Sequence, residues 1–278
     1  MRTLKNLLAA SAASLLSTAA FAADLPIAPP PMYAPPPVED FGGWYLRGDI
    51  GFSNQKLKGL DNLNYYDPGI SVAHQGLGFD AAGIYGIGAG YQFNNWFRAD
   101  ITGEYRGRAN FHGTDLMSFN GVASGVNNYG GSKSEWLFLA NAYADLGTWW
   151  CITPFIGAGI GTSRNTISSF TDNGLWLGNP GSAYADTASK WNFAWAVHAG
   201  LAYRISPNLT MELAYRYVDL GDGITGDVQT YDGSGPNRFN PVTFKHITSH
   251  DLKFGVRWAI DPGPAYLPPM PPPLIRKG

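Results

Sequence analysis

The chain has a single cysteine, Cys151, so no intramolecular disulfide is available and a small disulfide-stapled secreted fold is excluded. Cys151 falls in a predicted turn beside Trp149 and Trp150 with no histidine nearby, the wrong setting for a thiol nucleophile. Charge is also scarce. Only 14% of residues are Asp, Glu, Lys or Arg, and the formal balance of −2 offers no basic surface for nucleic acid. Beyond the first two dozen residues there is no run of about 18 apolar residues, so no transmembrane helix is predicted. Metal and catalytic spacings are missing too. His74, His112 and His246 have no ligand pattern around them, and no serine is forced beside His250 and Asp219. No cofactor, metal site or catalytic residue is predicted, and the chain is read as a non-enzyme.

What is present begins with a targeting signal. Arg2 and Lys5 precede an apolar run from Leu7 to Ala20, and Ala20-Phe21-Ala22 before Ala23 fits the cleavage rule of a secretory signal peptide. Residues 1–22 are assigned to it. Loss of Arg2 and Lys5 leaves 17 basic residues against 21 acidic, a charge of −4. Residues 23–42 form a proline-rich linker, and residues 262–278 a second proline-rich segment. Both suit extended polyproline II, either as a semi-rigid spacer or as a peptide ligand for a groove.

Between them, residues 43–261 repeat a two-residue alternation of apolar and polar side chains, the signature of strands with one face in each environment. The clearest stretch runs from Trp191 to Gly221. Trp191, Phe193, Trp195, Val197, Ala199, Leu201, Tyr203 and Ile205 share one parity, and after Ser206-Pro207-Asn208 the alternation resumes with Leu209, Met211, Leu213, Tyr215 and Tyr217. Each limb is long enough to cross a bilayer as a tilted strand of roughly 9–11 residues. Similar segments start at Trp44, Gly83, Trp96, Glu135, Ile152 and Asp251, for eight strands in all. Short connections (Asn94-Asn95, Gly147 to Cys151, Ser206 to Asn208) alternate with four of roughly 25 residues rich in Gly, Asn, Ser and Asp. This alternation predicts an all-β, eight-stranded antiparallel up-and-down transmembrane barrel with short periplasmic turns, four long extracellular loops and both termini in the periplasm.

Parity then sorts the charges. Arg47, Asp49, Arg98, Asp100, Glu104, Arg106, Glu135, Asp145, Arg204, Glu212, Arg216, Asp251, Lys253 and Arg257 all point inward, which predicts an ion-paired, plugged lumen, since an eight-stranded interior is just wide enough for side chains. The glycine columns Gly86-Gly88-Gly90 and Gly157-Gly159-Gly161 either make room for long side chains or mark strand curvature. Trp44, Trp96, Trp149, Trp150 and Trp258 fall near the predicted periplasmic ends, as an interfacial girdle or, less simply, as a ligand surface.

The segments GWYLRGDIG (Gly43 to Gly51), TPFIGAGIG (Thr153 to Gly161), LTMELAYRYVDLG (Leu209 to Gly221) and ADLP (Ala23 to Pro26) resemble the small outer-membrane barrels of the opacity-protein-like and OmpA-like superfamily, particularly its alphaproteobacterial surface-antigen branch. KFGVRWAI (Lys253 to Ile260) resembles the closing strand read by the barrel-assembly machinery, although family members commonly end there on an aromatic residue and here a proline-rich segment follows. The resemblance implies envelope integrity, surface antigenicity, adhesion through the loops, or a narrow conducting pore. The expected partners are outer-membrane lipid and lipopolysaccharide, the assembly machinery and a host or surface ligand, with no nucleic acid. A structural surface barrel is the leading expectation and a porin-like channel for small solutes the alternative. A lipid-modifying enzyme is the remote third.

Overall fold

The structure, a computed structural model, describes residues 42–233 and 238–260. The expected signal peptide, the linker up to residue 41 and the C-terminal proline-rich segment lie outside the described residues.

Eleven strands form one sheet: β1 (Gly43–Lys56), β2 (Gly59–Asp61), β3 (Ile70–Phe79), β4 (Ala82–Gln92), β5 (Phe97–Phe119), β6 (Val122–Asp145), β7 (Ile152–Trp176), β8 (Asn179–Ala185), β9 (Ala188–Arg204), β10 (Leu209–Thr230) and β11 (Pro241–Ala259). A short 3-10 turn, Leu63–Tyr66, separates β2 from β3. All pairings are antiparallel. β1 pairs with β4 and β11, and the ladder runs on from β4 through β5, β6, β7, β9 and β10 to β11. β2 adds to β11, β3 to β5, and β8 to both β7 and β10. No helix among the described residues is long and apolar enough to cross a membrane.

The sheet has eleven strands where eight were expected: the eight expected segments each lie in a long strand, while β2, β3, β8 and the outer parts of the long strands occupy most of what was expected as loop. β5 and β6 continue to a two-residue turn at Asn120-Gly121, with φ of 48° and 81°, and β7 meets β8 at Leu177-Gly178, with φ of 48° and 79°. Left-handed conformations at both central residues suit the right-handed twist of a hairpin, and Asn-Gly is the sequence pair that most readily adopts them. Polar strands that leave the membrane lose the sharp alternation of greasy and polar faces, so they read as loop in the sequence.

Inside the membrane-length part of each strand the alternation is strict. On β1, Tyr45, Arg47, Asp49, Ser53 and Gln55 are buried while Trp44, Leu46, Ile50 and Phe52 are exposed. The sheet therefore buries its polar face and exposes its apolar one, the inverse of a water-soluble protein. A register shift between Arg106 and Ala109 on β5 moves the next residues to the opposite parity, and this turns Ala109 and Phe111 to the buried side and leaves Arg108 exposed.

Candidate functional site

The buried face has two storeys. Toward the short turns, charged side chains converge from β1, β4's neighbours and the C-terminal strands. Arg47 pairs with Asp49 and Asp100, each at 2.8 Å, and with Glu212 at 3.3 Å. Arg98 reaches Asp145 at 3.2 Å and Glu212 at 3.3 Å, and its guanidinium lies 4.2 Å from the centre of the Tyr143 ring and 4.7 Å from that of Phe155. Those faces take the terminal nitrogens, which make no hydrogen bond. Arg257 completes this level at 3.4 Å from Glu212 and lies against the Tyr45 ring.

One level further along, Arg216 donates two hydrogen bonds to Glu104, of 2.8 and 2.6 Å, and others to Asp251. Arg106 binds the same Asp251 through both terminal nitrogens and Glu135 through Nε at 3.0 Å. Lys253 contacts both Glu104 and, at 3.5 Å, Asp49, and so links the levels. Such forked, charge-assisted contacts are the geometry in which buried ions offset their loss of water.

Thirteen of the fourteen charged residues expected inside are brought together in this way. Arg204 is the correction. It stands exposed at the turn end of β9 and joins none of the described ion pairs, because the barrier to solvent has already ended there although parity has not. Lys133, which the sequence reading left in a loop, takes its place. It is 1% exposed, contacts Glu135 and donates to Gln55 at 2.8 Å. With Lys133 the column holds seven cations and seven carboxylates. The signal in the sequence was Lys133 at even spacing before Glu135 across a stretch read as loop.

Polar neutral side chains finish the lower storey. Asn141 donates to Asp100 at 2.8 Å and its Oδ1 accepts from His198 Nε2 at 3.2 Å, and Tyr45 donates to Asp100 at 3.1 Å. The glycine columns are explained by space. A β-carbon at Gly86 would sit 2.9 Å from Glu104 Cγ, one at Gly255 2.6 Å from Asp49 Oδ1, and one at Gly200 2.6 Å from the Phe155 ring. At Gly157 and Gly159 the neighbours are Tyr143 and Asn141 rather than arginines.

The upper storey is apolar. Leu137, Leu139, Ala194, Ala196, Val218, Leu220 and Ile247 pack beneath Phe79, Phe111, Phe170 and Phe244, all but Phe79 and Phe111 at most 1% exposed. Phe111 and Phe244 meet edge to face at 4.7 Å. Its rings lie beyond the ions, while Leu137 and Leu139, on the inward side of β6 that is least polar in sequence, stand nearer the short turns than Glu135 and Lys133 on the same strand.

Beyond the plug is a polar cluster of the strand extensions. Asp115, fully buried, accepts from Tyr65 at 2.6 Å and Tyr129 at 3.0 Å and lies 2.6 Å from His74 Nδ1. Burial first, helped at Tyr65 by Tyr129 and Asp115 and at Tyr129 by Asp172 and Asp115, holds both tyrosines well above their usual range, so they stay protonated donors. Asp172 is reached by Asn127 at 3.3 Å. Burial, and then the nearby Asp115, push its carboxyl up to about 7. No group of three or more His, Cys, Asp or Glu among the described residues is arranged to hold a metal.

On the outer face Trp44, Trp96, Trp149, Trp150 and Trp258 are all more than half exposed near the short turns. A second aromatic level, not collected from the sequence, lies toward the other end. Tyr105 meets Trp136 at a tilt, with ring centres 5.0 Å apart, and Trp195 meets Tyr217 likewise at 5.5 Å. His250 contacts the Tyr215 hydroxyl at 2.6 Å.

An apolar exposed face, ions inside and aromatic rings at both edges describe a lipid-embedded sheet. The match to the family described as outer membrane protein beta-barrel domain, over residues 8–258, agrees with it. This chain belongs to that family. A protein of Brucella abortus (strain 2308), itself uncharacterised, is 32% identical over 74% of this chain and 78% of its own length. The 31 kDa outer-membrane immunogenic protein of Brucella melitensis is 27% identical over 78% of this chain and 88% of its own. The crystal structure of Neisserial surface protein A aligns over 78% of this chain and 96% of that one, at 17% identity and a TM-score of 0.40. As a member of the barrel family, the protein is a structural component of the outer membrane with surface-exposed segments.

Proposed function

We propose that the eight long strands form one closed up-and-down barrel, of the opacity-protein-like type, that is sealed to solutes and serves as a rigid stem for the strand extensions and loops it holds above the membrane. The observation that carries this reading is the filled interior: a balanced ion column beneath an apolar plug centred on Phe244 and Phe111. Ions cross apolar constrictions only at high cost, because no side chain there replaces their water. The lumen charges therefore act as mutual partners that join opposite walls, and the two aromatic levels fix the barrel's depth in the bilayer.

The extended β5–β6 and β7–β8 hairpins offer the surface through which such a barrel meets antibodies or a host surface, in line with the immunogenic name of the Brucella relative. Short turns and both chain ends face the periplasm in this reading. Lipid and lipopolysaccharide surround it, and the barrel-assembly machinery inserts it through its last strand.

Planar-bilayer recording of the refolded protein tests the proposal. Silence is expected, and stable, reproducible conductance steps would replace the scaffold with a channel. Shortening the β5–β6 hairpin should abolish surface binding while the unheated barrel keeps its altered gel mobility.

A further inference from the structure

We propose that the groove where β1, β10 and β11 leave the bilayer binds a phosphate on the headgroup of an outer-leaflet glycolipid. The inference rests on the barrel reading above and names a ligand for its outer face. The groove has a volume of about 350 Å³ and is lined by Lys56, Lys58, Tyr217, Asp219, His246 and Thr248. Register puts them side by side, since Lys56 pairs with Thr248 and Thr248 with Asp219, while the Lys58 amide donates to the Lys245 carbonyl at 3.0 Å.

The height of the groove identifies the ligand. On β1 the outward side chains run Trp44, Leu46, Ile50 and Phe52, all exposed and apolar, and then change to Asn54 and Lys56. On β11 the same change comes after Trp258, Phe254 and Leu252, at His250 and Thr248; on β10 it comes at Asp219. Between Trp44 and Lys56 a strand at typical barrel tilt climbs roughly 30 Å. An outer-membrane apolar band is about 25 Å tall, so the two ammonium groups arrive in the outer headgroup layer.

The charges are also unspent. Both lysines are exposed and neither has an ion pair among the described residues, whereas Lys190 and Lys245 at the same end are paired with Asp222 and Asp61. Asp219 opposes an anion, but its Oδ1 already accepts the Gly221 amide at 2.9 Å. Two ammonium groups over one such carboxylate leave a net positive groove. Directly below it lie Phe52, Leu252 and Tyr215, a surface for acyl chains that a free phosphate would not use.

The test is native mass spectrometry of the full-length folded protein in detergent, titrated with bis-phosphorylated lipid A. Wild type should retain the lipid, and Lys56→Gln/Lys58→Gln should bind it about 30-fold more weakly, the effect expected of two interfacial lysines. Lipid A stripped of its phosphates should bind wild type no better than the variant binds the phosphorylated form. Equal binding by wild type and variant, or of both lipids by wild type, overturns the site. Displacement of the lipid by millimolar inorganic phosphate would assign the groove to free phosphate and overturn the glycolipid. The same samples run unheated and boiled separate the two claims: wild type without a mobility shift sinks the barrel reading itself, and a shift with no lipid preference sinks only the groove.

Discussion

The two storeys of the interior are built from the same strands and are equally dry, yet one is held by ions and the other by rings. Arg216, buried like Phe244, sits between Glu104 and Asp251, and Phe244 sits among Phe79, Phe111 and Phe170. The ion storey depends on pairing, because any member left alone keeps its full cost of desolvation. The ring storey depends on volume, because an apolar neighbour that is removed leaves a void but no stranded charge. Loss of one residue should therefore hurt the first through electrostatics and the second through packing.

The largest effect is expected at the ion storey. Arg216→Ala removes the cation shared by Glu104 and Asp251, leaving Glu104 to Lys253 and Asp251 to Arg106, and should lower folding stability in lipid vesicles by about 3–5 kcal/mol, read from the urea midpoint. Phe244→Ala should cost about 3 kcal/mol through its cavity, and the loss should not change with salt or pH. If both variants responded alike to pH, the division between storeys would be wrong.

Asp172 sharpens the contrast, since it is a largely buried carboxylate contacted by an amide and facing another carboxylate, with no ion pair to a cation among the described residues. Its folded-state affinity for a proton, near pH 7, exceeds that of the unfolded chain, near about 4. Between those values the folded protein holds a proton that the unfolded chain has released. Stability of the strand extensions should be highest below about pH 4, fall as pH rises toward about 7, and stay level above it. Asp172→Asn should flatten that dependence, measured by protease cleavage of the extensions against pH. The smallest effect belongs to Arg204→Ala, whose exposed side chain makes none of the described pairs and should change stability by less than about 0.5 kcal/mol.

Much of this was legible in the chain. Period-two alternation placed Arg47, Arg98, Glu104, Glu212 and Arg216 on one face, because a strand leaves each side chain only two directions. It failed where the environment changed along a strand. Arg204 kept its parity but had run past the enclosed part of the sheet. Lys133 and Asp115 lay in segments too evenly polar to read as strands, even though Asn120-Gly121 marked the hairpin turn that joins them. The shift between Arg106 and Ala109 reversed parity without a warning residue that would single it out.

Composition and alternation by themselves determined that this protein meets lipid with aromatic and aliphatic side chains and turns its charges away, because water and hydrocarbon sort side chains two by two along a strand. Which arginine clasps which carboxylate was decided only when strands far apart in sequence curved toward one another. Arg47 and Asp100, or Arg216 and Glu104, acquire their energies from separations of a few ångströms across the interior, and no spacing along the chain encodes those distances.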